Sequence, residues 1–307
     1  FSWLFLLLIS CYDTNYMATL TELRAVRLDK IKLLEDAGMQ AFSAQVNRTH
    51  TLAEVVSDFE NLEKSSQTIS VAGRVMSLRG QGAIMFVTLF DGTERFQVVF
   101  KRDHMDEQLF TLFTEAVDLG DFISVTGTAF TTQRGAQSIL CDTWMMATKS
   151  LLPIPSEHYG LEDVEEKMRK RYLDAVVNQD VYNRFIIRSR VISYIRKFFD
   201  DQDFDEVQTP ILQTTPGCEV HLHGFSTELI SPDLQTSRTT WLHTSPEFAM
   251  KKLIVAGVKK QYQICSVFRN AEDSSRHSPE FTMIEWYRVG YDYHVIMKDC
   301  VDLLRTV

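Results

Sequence analysis

Two arginines and a histidine, Arg269, Arg276 and His277, share a polar stretch with Glu272 and Asp273 between two segments of alternating apolar residues. The first segment runs from Gln261 to Phe268 and the second from Phe281 to Tyr287; each has the period of a half-buried strand, which predicts a strand-loop-strand ligand cradle. Burying an arginine beside an apolar strand is costly unless an anion pairs with it. Arg269, directly after Val267 and Phe268, therefore calls for a phosphate or a carboxylate. Its planar fork can hold two oxygens at once. A structural Arg–Glu pair is the alternative that spacing alone leaves open.

The chain that must position these groups has 307 residues, 45% of them hydrophobic and 24% charged. That suits two ordinary domains of a soluble globular protein and excludes a disordered or fibrous one. A formal net charge of -9 argues against a protein whose main work is coating nucleic acid, while leaving room for a locally basic face. Cys11, Cys141, Cys218, Cys265 and Cys300 are widely separated, with no Cys-x-x-Cys pair, which points to a reducing, cytoplasmic compartment. His221 and His223 share a strand face without a third ligand nearby, and no metal site is assigned to them.

Phe1 to Cys11 is almost wholly apolar but lacks an initiating Met or a preceding basic region, and it is too short to span a bilayer. Residues 1–16 are read as sequence from upstream of a start at Met17; a membrane anchor is the alternative. Leu20, Leu23, Val26, Leu28, Ile31 and Leu34 recur at helical spacing, with Thr21 as a cap and Gly38 as a stop. The other face, Arg24, Arg27, Lys30 and Lys32, is read as solvated. A second helix is expected over Leu52 to Leu62, completing a helical segment at 17–66.

Across 67–150 the period changes to two. Ile69–Ser77, Ile84–Leu89, Arg95–Phe100, Phe122–Ala129 and Ser138–Met146 read as strands, with a helix over Met105–Val117. Gly80, Gly82, Asp91-Gly92 and Arg134-Gly135 supply the turns. Three strands, a helix and two strands is the order of an OB-fold barrel, a scaffold that binds single strands by stacking bases on aromatic rings. Pro153 and Pro155 open a linker or hinge at 151–180, and 181–307 forms a further domain.

The run Phe268-Arg269-Asn270, Arg276-His277 and Pro279-Glu280-Phe281-Thr282-Met283-Ile284-Glu285-Trp286-Tyr287 resembles motif 2 of class II aminoacyl-tRNA synthetases, in particular the lysyl branch. The amphipathic stretch Ile186–Phe199 and the extended Phe204–Leu212 with Pro210 resemble motif 1, which implies a homodimer interface around Pro210. The resemblance implies an α+β protein, an OB-fold barrel followed by part of an antiparallel-sheet catalytic domain. It also implies ATP with Mg2+, activation of lysine, and transfer to tRNA(Lys). By it, Arg269 is the catalytic cation that holds both reactants, Arg276 and His277 meet the outer phosphates, Phe281 stacks on adenine, and Glu272 lies on the adenine side. Gly217, Glu247, Glu285 and Tyr287 match the lysine pocket. In the barrel Phe86 would stack on an anticodon base, Gln97 would bond a base edge and Arg74 would hold phosphate or base, although alternation alone makes Phe86 a core residue.

This chain departs from the pattern in places. Ala271 stands where a glutamate usually follows Arg-Asn, Asp203 replaces a glycine before Phe204, and Ala136 replaces an acid expected to touch the anticodon. Thr244-Ser245-Pro246-Glu247 and Glu219-Val220-His221-Leu222-His223 are closer to the paralogous ligases that attach lysine or β-lysine to elongation factor P, which lack the barrel. Motif 3, with most of the Mg2+ carboxylates, is expected beyond Val307, so this polypeptide is expected to bind ATP poorly and form no adenylate. A non-catalytic RNA-binding module is the reading from a different class.

Overall fold

Thr19, rather than Thr21, caps the first helix, α1 (Leu20–Asp36). Its hydroxyl accepts the Glu22 amide at 3.3 Å while the Glu22 carboxylate accepts the Thr19 amide at 2.7 Å, a reciprocal capping box. Gly38, at φ 76°, ends the helix in a left-handed turn that lets Met39 N reach Leu34 O at 2.8 Å. The computed structural model describes residues 19–155, 160–217 and 219–307. The apolar start, Met17 and Cys218 lie outside the described residues. Two compact units divide after Val181.

In the first unit the expected second helix is two, α2 (Leu52–Ser57) and α3 (Phe59–Ser65), broken at Asp58. Then follow β1 (Thr68–Gln81), β2 (Ile84–Phe90), β3 (Arg95–Lys101), α4 (Glu107–Ala116), β4 (Phe122–Thr131) and β5 (Gln137–Thr148). The strands close a barrel in the order β1-β2-β3-β5-β4, antiparallel except where β3 meets β5. Val71, Val87, Leu89, Val98, Ile123, Val125 and Ile139 alternate inward to fill it. Helix α4 plugs it: Phe113 stacks on Phe100 with centroids 3.9 Å apart and meets Trp144 edge-on. Two short helices, α5 (Val164–Arg169) and α6 (Arg171–Val177), replace the single charged helix of the hinge.

The charged stripe of α1 is not wholly solvated. Arg27 is buried and donates to the carbonyls of Leu119, Ser150 and Leu152 at 2.7–3.1 Å. Lys30 reaches Asp118 at 2.6 Å, and Lys149, its side chain fully buried, donates to Ala116 O, Asp118 and Asp121, each at 2.6 Å. Meanwhile Leu20 and Val26 are 58% and 55% exposed. Carbonyls and carboxylates on this side of the barrel need donors, so the helix presents arginine and lysine there with Ile31 and Leu34.

The second unit begins within the long helix α7 (Gln179–Asp200), followed by β6 (Asp205–Glu206), β7 (Leu212–Gln213), β8 (Phe225–Ile230), β9 (Ser237–Leu242), α8 (Glu247–Val255), β10 (Lys260–Phe268), β11 (Glu280–Arg288) and α9 (Tyr293–Thr306). One sheet has the order β11-β10-β6 and the other β7-β9-β8. The pairing of β10 with β6 is parallel, an exception to the expected antiparallel sheet. Phe198, Phe199, Phe204, Tyr262 and Leu303 form its core, Phe199 stacking on Tyr262 at 4.8 Å. Arg288 ties α9 to the sheet by donating twice to Asp299, at 2.7 and 2.9 Å.

Candidate functional site

The register of β10 against β11 sets Gln261 opposite Tyr287, Gln263 opposite Glu285 and Val267 opposite Phe281. Residues of one parity share one face of a pleated sheet, so Phe281, Glu285 and Tyr287 stand together. Tyr262, Ile264, Ile284 and Trp286 take the other face, toward the aromatic core. Arg269 continues the series of Gln261, Gln263 and Val267, on the face of Phe281, past the end of β10, its amide donating to Pro279 O at 2.9 Å.

The Arg269 guanidinium is half-buried, lies 5.2 Å from the Phe281 ring centroid and donates from Nε to Thr244 O at 3.3 Å. Among the described residues it forms no ion pair with a carboxylate, so the internal Arg–Glu pair is absent. A cation held this way keeps most of its hydrogen-bonding capacity for an incoming anion.

Beside it lies an acidic pocket. Pro246 and Ser245 start α8, with the Ser245 hydroxyl accepting the Glu247 amide at 3.0 Å and lying 3.4 Å from both Glu285 oxygens. Burial pushes the Glu285 carboxyl above its ordinary value; the charges of Glu247 and Glu219 add to this, and the Ser245 hydroxyl opposes it. Burial also raises the Tyr287 phenol, with Glu285 and Glu247 contributing. Lys251 pairs with Glu247 one helical turn on. Gly217 is packed so closely that a Cβ would lie 2.4 Å from Thr244 Oγ1 and 3.1 Å from Glu219 Oε2. Clustered carboxylates whose charges penalise one another make a receptor for an ammonium group, whose positive charge relieves that repulsion.

Glu219, Thr244 and Ser245 are pocket residues that sequence reasoning did not assign. The signals for them are the two stretches that resemble the elongation factor P ligases and, for Glu219, its place two residues after Gly217. The loop residues Arg276 and His277 are exposed, with His277 Nδ1 3.0 Å from Ser274 Oγ, while Glu272 is half-buried. Ala271 is left-handed at φ 62°. Pro210 is exposed, between β6 and β7.

In the first unit a groove of about 720 Å³ opens on the barrel. Phe86 and Phe130 supply rings, Gln97 and Gln133 amides, and Arg79, Lys101 and Arg134 positive charge; Ala136 also lines it. Phe86 is half-buried and in the groove rather than in the core, which Val87 and Leu89 fill. The structure does not bring Arg74 there. Its guanidinium lies 4.3 Å from the Phe122 ring centroid and donates to Gly120 O at 3.3 Å, whereas Arg79 is the residue opposite Phe86.

Residues 163–307 match the family described as tRNA synthetases class II (D, K and N), and residues 69–147 match the OB-fold nucleic acid binding domain. The chain is 37% identical over 284 residues to a lysine–tRNA ligase of Halalkalibacterium halodurans, covering 91% of this chain and 56% of that protein. It is 38% identical over 278 residues to a lysine–tRNA ligase of Bacillus subtilis, covering 89% and 54% respectively. A lysine–tRNA ligase of Carboxydothermus hydrogenoformans is 36% identical over 288 residues, covering 94% and 57%. The chain thus spans about half the length of the curated relatives it matches. No helix among the described residues is long and apolar enough to cross a membrane.

Proposed function

Since residues 163–307 belong to the class II tRNA synthetases (D, K and N) and residues 69–147 are an OB-fold nucleic acid binding domain, we propose that the protein carrying this chain is a lysine–tRNA ligase. The observation that carries this reading is the half-buried Arg269, paired with no carboxylate among the described residues, beside the pocket of Glu219, Glu247 and Glu285. One part suits anions and the other suits ammonium groups. A diamino acid and a nucleoside triphosphate together present both.

In this proposal Glu285 and Tyr287 take the side-chain ammonium of lysine and Glu247 its backbone amine, with the bare backbone of Gly217 leaving room for it. A lysine carboxylate oxygen attacks the α-phosphorus of ATP; the bond to pyrophosphate breaks and lysyl-adenylate forms. Arg269 holds the two repelling anions in line and meets the charge gathering on the phosphate. Phe281 offers its ring to the adenine, Glu272 stands on that side, and Arg276 and His277 meet the outer phosphates. A ribose hydroxyl at the 3′ end of tRNA(Lys) then attacks the lysyl carbonyl, and AMP leaves. No group of three His, Cys, Asp or Glu side chains among the described residues is placed to hold a metal ion, so Mg2+ is assigned no ligands here.

The barrel groove, through Phe86, Gln97 and the cations around them, reads the anticodon, and this favours tRNA over elongation factor P as acceptor. The protein works in the cytoplasm as a homodimer. Support for the dimer comes from Phe185, Ile186, Ile187 and Tyr194, exposed along α7, and from Ile211 and Leu212 next to Pro210.

The test uses the complete reading frame that encodes these residues. Lysine-dependent exchange of pyrophosphate into ATP is expected, with Arg269→Ala lowering the rate by about a thousandfold or more. Charging of tRNA(Lys) is expected in preference to modification of elongation factor P. Absence of lysine-dependent exchange, or transfer to elongation factor P alone, overturns the proposal.

A further inference from the structure

Among the described residues β6 pairs with the outer edge of β10 only at Gln261 and Tyr262, and His243, just past the end of β9, meets that edge further along. Its main chain accepts the Phe268 amide at 3.1 Å and donates to Ile211 O at 3.1 Å. Its imidazole is fully buried and bonds the Ser266 carbonyl from Nε2 at 2.8 Å, with Cys265 Sγ more distant at 4.0 Å. A carbonyl oxygen only accepts, so Nε2 carries a proton and donates it. Nδ1, buried as well, has no partner among the described residues. An unpartnered buried nitrogen is destabilising, and an aliphatic side chain would avoid it. What the imidazole supplies that leucine would not is the bond to Ser266.

The two residues that follow His243 touch both halves of the site. Thr244 O accepts Nε of Arg269 at 3.3 Å, and Ser245 Oγ lies 3.4 Å from both Glu285 oxygens. We propose that His243 is a positioning residue that fixes the spacing between the two halves, by fastening the Thr244–Ser245 segment to β10 through Ser266 O. The role rests on the reading of the site as one that activates lysine, and it adds what sets the length of amino acid that fits. With the side-chain ammonium at Glu285 and the carboxylate at Arg269, the distance between those two side chains fixes how many methylenes lie between the charges. The paired strands set the main chain of Glu285 and, one residue past β10, that of Arg269. Thr244 O and Ser245 Oγ direct the charged ends, where a displacement of about 1 Å is enough to spoil the alignment of reacting atoms.

The test uses the complete reading frame that encodes these residues and compares His243→Gln with His243→Asn. Both replacements are neutral amides, but the glutamine nitrogen reaches the position of Nε2 whereas the asparagine nitrogen reaches only that of Nδ1. In exchange of pyrophosphate into ATP driven by lysine or by ornithine, the native protein is expected to favour lysine, which is one methylene longer. His243→Gln should keep that kcat/KM preference within about threefold, and His243→Asn should lower it by about tenfold, within the range that one methylene is worth. An unchanged preference in His243→Asn overturns the positioning role and leaves the ligase reading standing. Equal losses in the two variants overturn the assignment to the Nε2 donor, and a native protein that does not distinguish the two amino acids overturns the spacing. Absence of lysine-dependent exchange from the native protein overturns the ligase reading and this inference with it. If His243→Asn does not fold, the long-range nitrogen–proton spectrum of the native chain decides. A proton bound at His243 Nε2 is expected there, and a proton at Nδ1 alone overturns the proposal.

Discussion

Glu285 sits where its own charge is penalised, by burial first and then by the charges of Glu247 and Glu219. Its carboxyl in the folded chain therefore holds its proton to a higher pH than in the unfolded chain. As pH rises from about 4.3, the unfolded value, through the raised folded value, the native state must give up a proton into an unfavourable setting. Stability contributed by the neutral form is lost across that window and stays lost above it. Glu285→Gln is accordingly expected to raise the melting temperature at pH 7.5 but not at pH 4, while weakening lysine binding at least tenfold. Calorimetry at the two pH values, with lysine titrations, checks both halves. An equal change in melting temperature at both pH values would contradict the argument. The same residue-scale logic explains why Arg269 was legible early. A guanidinium directly after an apolar strand states its need for an anion in one dimension, whereas the coupling of Glu285 to Glu219, 66 positions away, appears only when the chain folds.

At the scale of elements, the end of α7 shows a local rule at work. Phe204 N reaches Phe199 O and Asp203 N reaches Asp200 O, at 3.1 and 3.0 Å, closing the helix with Asp203 left-handed at φ 57°. The Phe199 and Phe204 rings, 5.0 Å apart, supply the apolar contact that accompanies such an ending. The family pattern places a glycine here, the residue that takes this conformation most readily, and Asp203 stands in its place. Asp203→Gly should relieve the side-chain clash and stabilise the folded chain by about 0.5–1 kcal/mol, after the entropic cost of glycine. A urea midpoint unchanged or lowered by the substitution would count against this. The pattern was less legible in α1, where apolar spacing pointed Leu20, Val26 and Leu28 inward. The observed helix instead turns Arg27 and Lys30 to the barrel, because the buried carbonyls and carboxylates there are costlier to leave unpaired than three exposed apolar side chains.

At the scale of the whole molecule, a net charge of -9 coexists with a groove lined by Arg79, Lys101 and Arg134. Electrostatic attraction of a phosphate backbone depends on that local arrangement more than on the total. A run of apolar side chains on α7, from Phe185 to Tyr194, stays exposed within its own unit, and the proposed homodimer gives it a partner. Ile187→Glu should convert a dimer to a monomer in light scattering. A mass unaffected by this charge would move the interface elsewhere. The sequence by itself determined the periods: two for the barrel and the cradle strands, helical spacing around them, and the parity that lines up Phe281, Glu285 and Tyr287. Tertiary structure alone decided that Arg79 rather than Arg74 lines the groove with Phe86, that Glu219 joins the acidic pocket, and that Lys149 is sunk among Asp118, Asp121 and Ala116 O. Periodicity is a property of neighbours along the chain, whereas strand register and the pairing of buried charges depend on segments far apart in sequence, whose cost is set only when they meet.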